Sequence, residues 1–228
     1  MGQKIHPNGF RLGINQYHQS SWFSKRSLYS KVLAEDYYLR EYIMGLFPNI
    51  SKIQIYRGFN DSIQLTLYLL KPIPIINQHN RNINNLRVKL ENVIAKYRQS
   101  RVSTFLPFER CFDNKHPKIT IHVIEYSHLD ALDVDASSLA YFLVEQLQSR
   151  IPFRKAMKKT LRRAQKAKIK GIKICVSGRL NGAEIARSEW IRNGQVPLQT
   201  LRAEIKYCYK IANTIYGTLG IKIWILKK

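Results

Sequence analysis

Residues 152–170 alternate apolar and basic positions with the period of an α-helix. The apolar or small positions are Phe153, Ala156, Met157, Thr160, Leu161, Ala164 and Ala167. The basic positions between them are Arg154, Lys155, Lys158, Lys159, Arg162, Arg163 and Lys166. At about 100° per residue, the two sets fall on opposite faces of one helix. No Asp or Glu occurs between Glu145 and Glu184. Because like charges on one face repel by about 0.2–0.5 kcal/mol per close pair, the pattern predicts a cationic helix with an anionic partner.

The N-terminal half shows helical and strand periods in turn. The predicted elements are a helix over 27–47, strands around 53–55 and 63–69, a helix over 82–97 and a strand over 119–123. Residues 98–118 are expected to form a long loop, and residues 1–26, which have no periodicity, an irregular arm. The order is read as helix–strand–strand–helix–helix–strand, of which five elements have assigned ranges, and it predicts a small α+β unit that ends near Glu125.

The C-terminal half is predicted to contain two helices followed by strands. Asp135 is expected to cap the first helix, whose buried face carries Leu139, Leu143 and Leu147. The cationic helix is the second. Strands are then predicted over 171–177, 184–191, 203–211 and 219–226. The sequence therefore predicts a C-terminal α/β domain over 127–228, in which two helices pack on a mainly antiparallel four-stranded sheet, with a domain boundary around 126–130.

The net charge narrows the class of partner. The chain has a formal net charge of +23, yet its hydrophobic content of 45% is that of a globular protein. Such an excess points to nucleic acid or to an anionic membrane surface. Residues 151–228 hold 19 Lys and Arg against 3 Asp and Glu, so the partner is expected to bind chiefly to the C-terminal half.

Motifs for catalysis or metal binding are absent from the sequence. It contains no phosphate-binding glycine loop, no H-E-x-x-H and no G-x-S-x-G, and its six histidines are dispersed. Asp130, Asp133 and Asp135 lie near a helix N-terminus, where they favour the helix dipole. We therefore predict no enzymatic activity, no cofactor and no metal site.

Three interpretations of the cationic helix are open. It could be a solvated outer face, a membrane-surface or calmodulin-binding helix, or a helix that binds the RNA or DNA backbone. The lack of neutralising acids weakens the first interpretation. The opposite face is rich in Ala, which suits packing within a domain better than insertion into a membrane. Binding of nucleic-acid phosphates is therefore favoured.

Four segments carry a resemblance to a known family. They are MGQKIHPNGFRLGI at 1–14, FRKAMKK at 153–159, SGRLNGAEIARSEW at 177–190 with VPLQTL at 196–201, and the end at 216–225. In this order they resemble the bacterial-type S-three family of small-subunit ribosomal proteins. The resemblance implies an N-terminal type II KH domain over 27–126 (order αββααβ), followed by the C-terminal α/β domain.

The resemblance also implies partners and site residues. The expected partners are small-subunit rRNA, mRNA at the entrance of its channel and neighbouring proteins of the subunit head, with no membrane and no small-molecule substrate. The residues expected to face the mRNA are Arg150, Arg154, Lys155, Lys158 and Lys159. The residues expected to contact rRNA are Lys4, Arg11, Arg162, Arg163, Lys166, Arg179, Arg187 and Arg192.

The chain departs from the KH pattern at one loop. A KH domain clamps the RNA backbone with a G-x-x-G loop, and this loop aligns with Asn77-Gln78-His79-Asn80, where both glycines are missing. The departure favours a scaffold role for this domain and disfavours the rival interpretation, a free regulatory KH-type RNA-binding protein.

The resemblance and the composition together suggest a source. The chain is rich in Ile, Asn, Lys and Tyr, and its C-terminal sequence is similar to that of plastid members of the family. We expect the protein to belong to a plastid ribosome in the stroma, with a ribosome of the bacterial cytoplasm as the alternative.

Overall fold

The computed structural model describes residues 4–47, 50–58, 62–70, 81–102, 117–125, 134–167 and 169–227. The chain forms two compact units. The N-terminal unit comprises residues 19–126, and the C-terminal unit comprises residues 127–228 together with residues 1–18. Since residues 126–133 lie outside the described residues, the predicted domain boundary is not tested.

The N-terminal unit packs helices against a four-stranded sheet. Its elements are β1 (Ser20–Ser21), α2 (Arg26–Leu46), β2 (Ile50–Arg57), β3 (Ile63–Leu69), α3 (Arg81–Val102) and β4 (Ile119–Glu125). The sheet order is β1-β2-β3-β4. Strands β2 and β3 form an antiparallel hairpin, whereas β3 and β4 run parallel. Alternate residues of β3 are buried, since one face of the strand meets the apolar core that α2 and α3 share with the sheet.

Buried ion pairs connect α2 to the rest of this unit. Arg57 of β2 binds Glu35 at 2.9 Å and also binds Asp36, and both carboxylates are almost completely buried. Arg98 donates from Nε to Glu35 at 2.9 Å. This contact lies in the last turns of α3, so α3 continues to Val102 through residues that were predicted as the start of the 98–118 loop. Residues 103–116 of that loop lie outside the described residues.

The C-terminal unit is the predicted two-helix, four-stranded arrangement. Its elements are α1 (Pro7–Arg11), α4 (Ala136–Gln148), α5 (Phe153–Lys166), β5 (Gly171–Gly178), β6 (Arg187–Gly194), β7 (Ile205–Thr214) and β8 (Gly217–Leu226). The sheet order is β6-β5-β8-β7, and every described pair is antiparallel. The core lies between one face of the sheet and helices α4 and α5, and it contains Ile172, Ile174 and Val176 of β5.

Two local predictions, one for residues 1–26 and one for Asp135, need correction. Residues 1–26 are not one irregular arm, since residues 7–11 form a short helix that packs on β7 and residues 20–21 join the N-terminal sheet. The short helix forms because Pro7 occupies its first turn and His6 Nδ1 accepts a hydrogen bond from the Gly9 amide. Asp135 does precede α4, but its side chain makes no capping hydrogen bond and instead pairs with Lys206 at 3.6 Å.

Candidate nucleic-acid interface

Helix α5 has the two faces that its sequence predicts. Its buried residues are Phe153, Ala156, Met157, Thr160 and Ala164. The Thr160 hydroxyl, which would otherwise be an unpaired buried group, donates to the Ala156 carbonyl at 2.9 Å. The basic side chains other than half-buried Arg163 are exposed. Because the apolar face is fixed to the core, the cationic face is a rigid array about 21 Å long, at 1.5 Å per residue.

The turn before α5 holds Arg150 in an uncommon conformation. Arg150 has φ +61°, the left-handed region that favours glycine. Its amide donates to the Leu147 carbonyl, and the Ile151 amide donates to the Gln146 carbonyl. This pair of bonds is a Schellman motif, in which glycine is the usual residue at the left-handed position. Arg150 is exposed, so the motif presents a cation immediately before the cationic helix.

Several cations of α5 have partners within the unit. Arg154 Nε lies 3.5 Å from Oε2 of Glu189, which belongs to strand β6. Lys159 donates to Gln146 at 3.2 Å, and both Lys159 and Arg163 lie over the Phe142 ring. The sequence shows no acid near α5, so the Glu189 contact was missed. It depends on strand register, because Glu189 pairs with Val176 and therefore shares the helix-covered face of the sheet.

Four other cations on this face form no ion pair among the described residues. They are Lys155, Lys158, Arg162 and Lys166, and all four side chains are exposed. Since neither neighbouring acids nor burial satisfies them, these side chains are available to phosphates. The structure thus divides the predicted cationic face into an available set and a set that is already engaged.

Arg11 is the clearest correction to the predicted rRNA contacts. Its side chain is completely buried, and its guanidinium donates to backbone carbonyls of Pro7, Leu198, Thr200 and Ala203 at 2.8–3.2 Å. Burial lowers the pKa of Arg11, which remains a strong cation. Arg11 therefore fastens the N-terminal segment to the C-terminal unit and has no surface to offer to RNA.

The other predicted rRNA contacts are distributed around the C-terminal unit. Arg179 is exposed, but it donates to the carbonyls of Ala183 and Tyr216 and so holds the turn after β5. Arg187 lies 3.3 Å from Glu189 on the helix-covered face of β6. Arg192 is exposed on the opposite face of the same strand. The structure therefore does not bring Arg187 and Arg192 to one surface, although only five positions separate them.

The N-terminal contacts are described only in part. Lys4 is exposed and lies near Lys173 of β5. The predicted degenerate KH loop, Asn77-Gln78-His79-Asn80, lies outside the described residues.

The part of the chain that the structure describes contains no candidate metal-binding cluster and no candidate membrane-spanning helix. No group of three or more His, Cys, Asp or Glu side chains there could hold a metal ion. None of the helices described is both long and apolar enough to cross a bilayer.

Comparison with known proteins places the chain in a family. Residues 143–225 match the family model for the C-terminal domain of ribosomal protein S3. Small ribosomal subunit protein uS3c of Rhodomonas salina is 44% identical, with 99% of this chain and 94% of that protein covered. The corresponding protein of Cyanophora paradoxa is 45% identical, with 100% and 94% covered. Small ribosomal subunit protein uS3 of Gloeothece citriformis is 43% identical, with 100% and 86% covered. The chain belongs to the uS3 family of ribosomal proteins.

Proposed function

We propose that the chain is a structural constituent of the small ribosomal subunit head, where it binds small-subunit rRNA and lines the entrance of the mRNA channel. The observation that supports the place at the mRNA channel is the cationic face of α5. Its available cations lie on a helix whose other face is buried in the core. Members of this family are structural proteins, and the chain is accordingly not an enzyme.

The geometry of α5 suits a grip on the RNA backbone that does not depend on base sequence. Lys155, Lys158 and Arg162 project from successive turns of one helix, so they can meet successive phosphates of an extended strand. Phosphate contacts position a nucleic acid without reading its bases. A strand could therefore slide past this face during translation, with each phosphate exchanging one cation for the next. The forward motion of the ribosome supplies the work.

Arg154 has a different role in this proposal from that of the two lysines. It is 71% exposed but already pairs with Glu189. An exposed ion pair contributes at most about 1 kcal/mol, so a passing phosphate can replace the carboxylate at small cost. We therefore propose that Lys155 and Lys158 are always free to bind phosphates, whereas Arg154 exchanges between Glu189 and a phosphate. Arg150 and Lys159 extend the same surface.

The N-terminal unit is proposed to be the type II KH domain, with residues 27–126 as its extent. Within 27–126, its described elements follow the order helix, strand, strand, helix, strand, which is the predicted order without one of its two adjacent helices. The missing G-x-x-G glycines favour a scaffold role. They also count against the rival function, a free regulatory KH protein, which would depend on that loop.

A plastid ribosome is the proposed location. The uS3c names of the relatives in Rhodomonas salina, Cyanophora paradoxa and Gracilaria tenuistipitata favour it. The similarity to uS3 of Gloeothece citriformis keeps the bacterial cytoplasm as the alternative.

Sucrose-gradient sedimentation of native extracts tests the ribosomal part of the proposal. The protein is expected to co-migrate with small subunits and to stay with them at moderate salt. A protein that remains at the top of the gradient would contradict the ribosomal role and favour the free regulator.

The channel part is tested by translation of structured mRNA in reconstituted ribosomes. Replacing Arg154, Lys155 and Lys158 together with Ala should leave assembly intact, because all three are exposed, but should slow passage through a stable mRNA hairpin. The charge-conserving variant Lys155→Arg/Lys158→Arg is the matched control and should pass the hairpin at the normal rate. Unchanged passage in assembled triple-Ala subunits would refute the mRNA contact.

A further inference from the structure

The sheet of the C-terminal unit has a second face, opposite the one that α4 and α5 cover. Strand register assigns twelve positions of β6, β5, β8 and β7 to three rows across this open face. The first row is Arg192, Lys173, Trp224 and Tyr207; the second is Trp190, Cys175, Lys222 and Tyr209; the third is Ser188, Ser177, Gly220 and Ile211. Four of these twelve described positions are aromatic, three are cationic and none is acidic.

Residues 4–18, the described part of the N-terminal segment, cover only part of the open face. His6 meets the Tyr207 ring edge-on at 4.9 Å, and Asn8 donates to the Tyr207 carbonyl. The second row lies beyond this contact. Trp190 is 60% exposed, Tyr209 is 50% exposed, and the Lys222 side chain between them is also exposed. Large aromatic side chains with half or more of their surface in water, set in mid-strand beside a cation, are a feature that the fold itself does not need.

Trp190 and Trp224 share a cation–π contact on the open face. Lys173 Nζ lies 5.1 Å from the Trp190 ring centroid and 5.4 Å from that of Trp224. A cation between two indoles is favourable and limits the orientations that Trp190 can adopt. Burial lowers the pKa of Lys173, and the charges of Lys4 and Arg192 lower it further. Positive charge is therefore crowded here, and an anion would relieve it.

We propose that the row Trp190–Lys222–Tyr209 is a platform for single-stranded RNA, on which bases stack against Trp190 and Tyr209 while Lys222 and Arg192 bind phosphates. Aromatic and cationic side chains interspersed on an open sheet face match the bases and phosphates of an unpaired strand. A protein partner would need carboxylates to meet the same charges. The platform lies on the sheet face opposite α5, so the proposal goes beyond the proposed grip on mRNA and does not depend on it.

The test uses the full-length chain with α5 neutralised by Lys155→Gln, Lys158→Gln and Arg162→Gln, so that binding to α5 does not dominate. A single-stranded hexauridylate is titrated, and tryptophan fluorescence and anisotropy are followed. Stacking on Trp190 should quench tryptophan emission, and the quench should be lost in Trp190→Phe while most of the affinity remains. Trp190→Ala should weaken binding about tenfold, the scale of one lost base stack.

Two controls separate stacking from simple charge attraction. Phe23, which is 87% exposed in the N-terminal unit, gives the matched variant Phe23→Ala, and this variant should bind with unchanged affinity. Inorganic polyphosphate, which has charge but no bases, should bind without the quench. Lys222→Gln should reduce the slope of log affinity against log salt by about 0.7, the value for one phosphate of a single strand.

The proposal is overturned if hexauridylate binds Trp190→Ala as tightly as the parent and causes no quench in the parent. It is also overturned if a photoreactive benzoylphenylalanine in place of Trp190 crosslinks only to a neighbouring protein in assembled subunits, since that result assigns the face to protein. Neither outcome affects sedimentation with small subunits, so failure here is distinguishable from failure of the ribosomal role.

Discussion

Neutralising three cations of α5 should change RNA binding and folding stability in opposite directions. The variant is Lys155→Gln/Lys158→Gln/Arg162→Gln, chosen because these side chains are exposed and form no ion pair among the described residues. RNA binding should weaken because phosphate contacts are lost. Stability should rise because like charges on one helix face no longer repel. If these residues served only the fold, their replacement would lower the stability and leave RNA binding unchanged.

The gain in stability can be worked out from helix spacing. The like-charge pairs removed are 154–158, 155–159, 158–162, 162–166, 155–158 and 159–162. Each such pair costs about 0.2–0.5 kcal/mol at low salt, and screening at about 0.1 M reduces that cost. Lys155 also lies in the first turn, where a cation opposes the helix dipole. A net gain of about 1 kcal/mol follows, which raises the melting temperature by about 2–4 °C.

The loss in RNA binding can be worked out from counterion release. Three phosphate contacts to a single strand contribute about 2 to the slope of log affinity against log salt. Over a fourfold rise in salt, the parent should therefore lose about 20-fold more affinity than the variant. Fluorescence anisotropy with a labelled single-stranded oligonucleotide between 50 and 200 mM KCl measures both slopes, and thermal melting monitored by circular dichroism measures stability.

The matched control removes the same charge elsewhere. Lys25, Lys89 and Lys96 are exposed in the N-terminal unit, and replacing them with Gln also lowers the net charge by three. This control should change the salt slope by clearly less than the α5 variant. An equal change in both variants would show that net charge alone matters, and a lower melting temperature for the α5 variant would refute the repulsion argument.

Three further substitutions test local features of the C-terminal unit. Arg150→Gly should raise the free energy of unfolding by about 1 kcal/mol in chemical denaturation, because glycine adopts the left-handed conformation without strain; a decrease would contradict the Schellman assignment. Arg11→Met should cost about 2–3 kcal/mol and make residues 1–18 susceptible to limited proteolysis, since the carbonyls around its side chain lose a charged donor; unchanged protease resistance would count against its fastening role. Gly171→Ala should cost more than about 2 kcal/mol in the same denaturation experiment, because the added Cβ would overlap the backbone of Gln195; a neutral result would mean that the backbone yields there.

Local periodicity predicted the elements well where both faces of an element differ strongly. Helix α5 is such a case, since its basic and apolar positions never exchange faces. Its end was less well predicted. The pattern allowed a helix to Lys170, whereas α5 ends at Lys166 because β5 must begin at Gly171, where Gly194 and Gln195 approach the backbone closely. Tertiary contacts of this kind leave no periodic signal.

Contacts between distant parts of the chain explain the missed features of the site. The carbonyl acceptors around Arg11 lie at Leu198, Thr200 and Ala203, about 190 positions away. No neighbouring residue in the sequence therefore indicates that Arg11 is buried, and the resemblance alone led us to expect an rRNA contact. Glu189 and Trp190 are adjacent in sequence but lie on opposite faces of β6. The sequence predicted that strand, but only the register with β5 shows that one residue meets Arg154 and that the other faces the open side.

The chain tolerates its uncompensated helix charges because packing outweighs their repulsion. Phe153 and Met157 are almost completely buried, and burying a side chain of this size contributes about 1.5–3 kcal/mol each. The repulsion between like charges of α5 costs about 0.2–0.5 kcal/mol per pair before screening. After screening by salt, its sum is smaller than the contribution of these two buried side chains. The helix can therefore remain formed although Lys155, Lys158, Arg162 and Lys166 form no ion pair among the described residues, and these four charges stay available to RNA. Acids placed one turn away from these cations would stabilise the helix further through ion pairs. They would also engage the cations that the proposed function needs, so a folding optimum and a binding optimum cannot coincide on this face.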